Sequence, residues 1–150
     1  LAPLSKALEN LEAVTGRPAV IPDRYTPDMN NGKNIFVFGS NTAGRHGAGA
    51  ALDAKKHWGA INGVGIGIQG QAYAIPTKDR RLNVLSINYI AVYVDDFIDF
   101  ARRNGSLTFL VTEVGCGLAS YKVEQIAPLF QDCPVNCVLP ARFRKYLDEL

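Results

Sequence analysis

The sequence predicts an α/β protein, a three-layer α/β/α sandwich around a mixed, mostly parallel sheet, and three observations carry that expectation. Short, nearly continuous apolar runs, NIFVF at 34–38 and LTFLVT at 107–112, read as strands buried on both faces. Helical stripes alternate with such runs at short spacing, which argues parallel strands covered on both sides. The 150 residues, 47% hydrophobic and 20% charged, suit one globular core and exclude a disordered or fibrous chain.

The elements follow in order. Residues 4–14 place Leu4, Ala7, Leu8, Leu11 and Val14 on one helical stripe. Gly16, Pro18, Pro22 and Pro27 then break the chain, so 1–33 reads as a helix and loop-rich lead-in, with the domain at 34–150. After the strand at 34–38, residues 47–57 open a helix whose Ala50, Ala51 and Ala54 suit close packing. Residues 63–70 read as a glycine-dense connection, and AYAI at 72–75 as a strand stopped by Pro76. The helix at 86–103 has Ile87, Ile90, Ala91, Val94, Phe97, Ile98 and Ala101 repeating at three and four, with Asn104-Gly105 as its stop. A strand at 107–112, a short helix at 123–130, a strand at 135–139 and a helix at 142–150 complete the chain. That last helix turns Phe143, Tyr146, Leu147 and Leu150 inward.

Composition narrows the function classes. Sixteen Lys+Arg against fourteen Asp+Glu leave a net charge of +2, too weak to argue by itself for a nucleic-acid or membrane partner. No run approaches eighteen apolar residues, so no membrane span is expected. The first residue, Leu1, follows no initiator Met or basic leader, which reads as a fragment, a processed form or a trimmed chain. Cys116, Cys133 and Cys137 are an odd set with only His46 and His57 to join them, so buried free thiols in a reducing compartment are expected. That means a cytoplasmic protein with no metal site and no cofactor. Each histidine reads as a surface or capping residue, and no Ser or Cys stands as its partner in a hydrolase triad.

Nine of the fourteen glycines lie between Gly39 and Gly70, a density that asks for positive φ or close approach of a ligand. FGSNTAGRHGAGAALDA at 38–54 follows a strand and opens a helix, the order that presents backbone N–H groups to a phosphate. A tight turn with close helix packing is the competing explanation. The GxGxxG of Gly65, Gly67 and Gly70 runs into a strand rather than a helix and lacks a following acid, so it is read as a decoy. TEVGCGLASY at 112–121 repeats the strand-to-glycine order, and both loops are expected at the carboxyl edge of the sheet. Asn41 offers an amide to ribose hydroxyls or serves as an Asx-turn residue. Lys78, directly after a strand, is either a nucleophile toward an aldehyde or anomeric carbon or an exposed lysine in a basic turn. Arg80 and Arg81 either meet phosphates of a larger substrate or are solvated.

Together these segments resemble the macrodomain superfamily, and within it the branch of terminal ADP-ribose glycohydrolase and the DNA-ADP-ribosyl glycohydrolase antitoxin. They are also similar to short macrodomain-like proteins of phages and bacteria. The likeness spans roughly 34–130 and rests on Gly39-Ser40-Asn41 followed by Gly47-Ala48-Gly49-Ala50-Ala51, on Pro76-Thr77-Lys78, and on Gly115-Cys116-Gly117-Leu118. It implies a macrodomain-like fold that binds ADP-ribose or an ADP-ribosylated macromolecule, with DNA as one modified substrate. By that resemblance Asn41 meets the distal ribose, and the backbone of Gly47, Ala48 and Gly49 and of Gly115, Cys116, Gly117, Leu118, Ala119 and Ser120 holds the pyrophosphate. Gly39, Ser40, Thr77 and Tyr121 complete the ligand contacts. Lys78 is the implied catalytic lysine of an ADP-ribosyl glycohydrolase acting on a nucleobase or acidic side chain. Ala119 stands where that branch has an acid, which leaves Glu113 and Asp79 as the nearest substitutes. Asp23 and Asp28 are the candidates for adenine. The alternative is a non-catalytic module that binds or sequesters ADP-ribose or a related NAD-derived nucleotide.

Overall fold

The computed structural model of the chain describes residues 32–150. The expected helix at 4–14 and the candidates Asp23 and Asp28 lie outside the described residues. Strand β1 (Asn34–Asn41) is followed by helix α1 (Gly49–His57), β2 (Gly67–Gln69) and β3 (Ala72–Lys78). Helix α2 (Ile87–Arg103), β4 (Thr108–Val111) and α3 (Val123–Ile126) come next. A 3-10 turn (Ala127–Phe130), β5 (Cys137–Val138) and α4 (Ala141–Asp148) finish the chain.

The strands form one sheet in the order β2-β3-β1-β4-β5. Only β2 against β3 is antiparallel. The sheet is thus mixed and mostly parallel, as the alternation of strands and helices predicts. Strand side chains point alternately to opposite faces, and two apolar clusters result. Ile35, Val37, Ile75, Phe109 and Val111 meet α2, α3 and α4 through Val94, Phe97, Ile126 and Phe143. Phe36, Phe38, Ala72 and Ala74 meet α1 through Ala51 and Ala54, with Trp58 stacked on Phe36 at 5.3 Å. The small residues on this second face let α1 lie close to β1, so the loop joining them stays short.

Helix α2 forms where the period predicts. Ser86 Oγ accepts from the Tyr89 N–H at 3.4 Å to start it. Its stripe of Ile90, Val94, Phe97, Ile98 and Ala101 is fully buried, and Asn104 Nδ2 donates to Phe100 O at its end. No helix among the described residues is long and apolar enough to cross a membrane.

Several boundaries differ from expectation for physical reasons. Strand β1 continues through Gly39 and Ser40 to Asn41, because all three still pair with β3. Within the glycine-dense connection, Gly67, Ile68 and Gln69 form an edge strand on Ala74, Tyr73 and Ala72. Pro76 does not stop β3: β2 reaches only to Ala74, so Pro76 lies where the ladder on that side has ended and its missing N–H costs nothing. The final strand shrinks to two residues, and Leu150 is exposed rather than inward. The decoy glycines serve the chain itself. A Cβ at Gly65 would overlap the carbonyl oxygen of Asn41, and one at Gly70 would sit 2.6 Å from that of Gly59.

Candidate functional site

Because β1, β3 and β4 run parallel, Asn41, Lys78 and Val111 end at the same edge of the sheet. The chain leaves β1 to build β3 on one side of it, then crosses to build β4 on the other. Such a switch point opens a crevice at the carboxyl ends. Here it is a cavity of about 650 Å³, within the size of small-molecule sites.

Three walls line it. The first holds Gly39, Ser40, Asn41 and Arg45, then Gly47, Ala48 and Gly49 with the start of α1. Ala48 caps α1 without a side-chain bond, and its first turn has no acid. The N–H groups there lie at the positive end of the helix dipole with no N-cap side chain to accept from them. The second wall holds Thr77, Lys78 and Leu82, and the third runs from Thr112 to Ala119 through Glu113, Gly115, Cys116, Gly117 and Leu118. A Cβ at Gly47 or Gly117 would meet no protein atom within 4 Å. The chain's own packing does not demand glycine at either place, yet both face the cavity. Gly115 is different: its φ of +78° favours glycine, and a built Cβ would crowd Ile126 Cδ1 at 3.0 Å.

Polar side chains in the first wall are largely spent on the loop. Asn41 Oδ1 accepts from the Arg45 N–H at 2.9 Å, and Asn41 Nδ2 donates to Arg45 O at 3.0 Å. Of the two readings of Asn41, the turn role is therefore occupied, with one amide hydrogen and one lone pair remaining. Ser40 Oγ donates to Gly65 O. His46 is a buried anchor rather than a surface residue, its Nε2 3.0 Å from Val64 O and 3.2 Å from Gln69 Oε1. Since both neighbours are acceptors, Nε2 carries the proton.

Lys78 reaches the cavity through a bulge. Ser40 pairs with Pro76 but Asn41 pairs with Lys78, so Thr77 is the extra residue and the strand is re-aimed at that point. Thr77 Oγ1 donates to Ser40 O across the irregularity.

The two candidate acids are committed elsewhere. Asp79 does not line the cavity. Its carboxylate accepts from the N–H groups of Asn83 and Arg81 at 2.9 and 2.8 Å, and these bonds, led by Asn83, hold it below the usual carboxylate range. Glu113 does line the cavity, but Arg142 of α4 grips it with two bonds, Nε to Oε2 at 2.8 Å and Nη2 to Oε1 at 2.6 Å. That guanidinium keeps Glu113 ionised well below its ordinary range, against the opposing effect of burial. Cys116 is pushed up to about 11 by burial, with the Glu113 charge adding to it, so its thiol stays protonated at neutral pH.

The sign of the Glu113 effect is testable. Its folded value lies below the unfolded one, so the pair stabilises the fold above the unfolded range. That contribution is lost as pH falls through the folded value. Glu113→Gln is expected to lower the melting temperature at neutral pH and to converge with the parent chain as acidification carries the pH below the ordinary glutamate range. A difference that does not change with pH contradicts this assignment.

Ser120 and Tyr121 do not line the cavity. Tyr121 Oη donates to Leu85 O, which ties the third wall to the segment after Lys78. Sequence reasoning missed Arg45, Leu82, Thr112 and Val114. Arg45, Thr112 and Val114 lie inside the two glycine segments and so carried some signal, whereas Leu82 carried none. Among the described residues no group of three or more His, Cys, Asp or Glu is placed to hold a metal ion. Compared with known proteins, the chain matches no family model, no curated protein and no solved structure.

Proposed function

We infer that the chain binds ADP-ribose in this cavity and that Lys78 acts on the distal ribose, as an ADP-ribosyl glycohydrolase. The observation that carries the reading is the pair of open glycines. Gly47 at the uncapped start of α1 and Gly117 in the opposite wall leave backbone exposed where the chain does not need it. Two such turns facing one cavity suit a pyrophosphate. With the pyrophosphate between them, Lys78 on the second wall is left to act on the remaining sugar. There its amine forms a bond to the anomeric carbon. The bond from that carbon to the modified group breaks, and the electron pair leaves with that group, which takes a proton. Water then adds to that carbon as its bond to the lysine nitrogen breaks, the electron pair returns to nitrogen, and the proton released by the water passes to the freed amine.

A second reading, binding without turnover, is favoured by a specific observation. Glu113 is held by Arg142, Asp79 is held in its own turn, and Ala119 supplies no acid. Calorimetric titration tests what both readings share. ADP-ribose is expected to bind in the micromolar range, well ahead of AMP and NAD. No heat at millimolar ADP-ribose removes both readings.

A further inference from the structure

Two non-glycine residues among those described have φ in the left-handed region: Leu82 at +66° and Ser120 at +65°. A leucine is a costly choice there, since Cβ crowds the following carbonyl and nothing polar bonds back to the backbone. Both lie in turns that border the cavity. The Leu82 turn is tightly held: the Asp79 N–H donates to Asn83 O at 2.8 Å, and the Leu82 N–H to Asp79 O at 3.1 Å. The Asp79 carboxylate ties Arg81 and Asn83 from inside. The Ser120 turn closes through its own N–H to Gly117 O and the Tyr121 N–H to Gly115 O, each 2.9 Å.

These turns share a second feature. Each presents a leucine to the cavity instead of burying it. Leu82 is 46% exposed and Leu118 70%, and both line the cavity from different walls. Tyr121 Oη, bonded to Leu85 O, ties the two turns together. Strain kept at such a position, with an apolar side chain held in solvent, points to a contact made only when the cavity is filled.

We propose that Leu82 and Leu118 grip a planar ring of the bound ligand, so that the site selects phosphate compounds carrying an aromatic ring over ringless sugar phosphates. A ring slid between two branched apolar side chains buries both its faces, while the glycine turns hold the phosphates. The proposal rests on the ADP-ribose reading, and it adds which residues choose among ligands of that kind. The ring is either the adenine or a base attached at the anomeric carbon, and the test separates them.

Calorimetric titration of the parent chain, Leu82→Gly and Leu118→Ala uses three probes: ADP-ribose, NAD and ribose 5-phosphate. Leu82→Gly removes the side chain and suits the left-handed φ, so its melting temperature is expected not to fall. Leu82→Asn, which also accepts that φ, is the second variant. Each variant is expected to weaken the ring-bearing ligand about tenfold, the loss of one half-buried leucine contact, and to leave ribose 5-phosphate unchanged. Weakening of ADP-ribose and NAD alike places adenine in the grip, whereas weakening of NAD alone places the ring on the anomeric carbon. Unchanged affinity for all three probes overturns the proposal and leaves the ADP-ribose reading standing, as does an equal loss for ribose 5-phosphate. A parent chain that binds none of the probes overturns both.

Discussion

Lys78→Ala is expected to abolish release of ADP-ribose from a modified substrate while ADP-ribose itself still binds within about tenfold. The asymmetry follows from where the residue sits. In the proposed reading the phosphates are held by the α1 start and the Gly115–Gly117 turn, neither of which the Lys78 side chain supports. It ends β3, and its backbone carbonyl accepts from the Thr42 N–H at 3.0 Å, a bond that alanine keeps. What is lost is the side chain beyond Cβ, the amine with its stem. Lys78→Arg separates its two contributions, because arginine keeps the charge without an available lone pair. If the amine is the nucleophile, arginine is as inactive as alanine. If only the charge matters, arginine restores turnover. Turnover that survives in Lys78→Ala removes the lysine mechanism and leaves the binding reading.

Gly117→Val is expected to remove most ADP-ribose affinity from a chain that still folds. A built Cβ there touches no protein atom, so the variant has little reason to unfold. Its side chain enters the cavity instead. An overlap costing about 1–3 kcal/mol weakens binding by roughly ten- to a hundredfold. Gly47→Val is expected to do the same from the facing wall. Gly65→Ala is the contrast, since its Cβ would overlap the Asn41 carbonyl and cost stability first. Thermal melts beside titrations distinguish the two patterns. Full affinity in both valine variants means that no ligand approaches these turns.

The parts of the fold that depend on local periodicity were legible in the sequence. Helix α2 needs only its apolar stripe and Ser86, both visible in eighteen consecutive residues. The parallel sheet follows from apolar runs separated by helices. Features set by distant partners were not legible. Gly67 hides β2, which exists because β3 offers it an edge. Pro76 looks like a stop until the end of β2 is known.

In the site, the glycine turns and Lys78 could be placed from sequence because each follows a strand. The fate of Glu113 could not, because Arg142 lies 29 positions away on another element. Asp79 looked like a free acid in a basic turn, while its partners are the backbone of that turn. Leu82 gave no signal, since an apolar residue in an exposed hairpin follows no pattern. The decoy reading of Gly65, Gly67 and Gly70 needed only the order of elements, and the close approaches of Gly65 and Gly70 agree with it.

The three walls of the cavity come from segments far apart in the chain, brought together chiefly through β1. Each turn closes on itself through its own hydrogen bonds, but only the sheet sets the three against one another, so the site exists only when the whole sheet does. Ligand occupancy and cooperative unfolding are therefore thermodynamically linked. A compound at a hundred times its dissociation constant raises global stability by about 2.7 kcal/mol. Melting shifts across a panel of nucleotides thus become a survey of what this crevice accepts, without any assumption about the reaction.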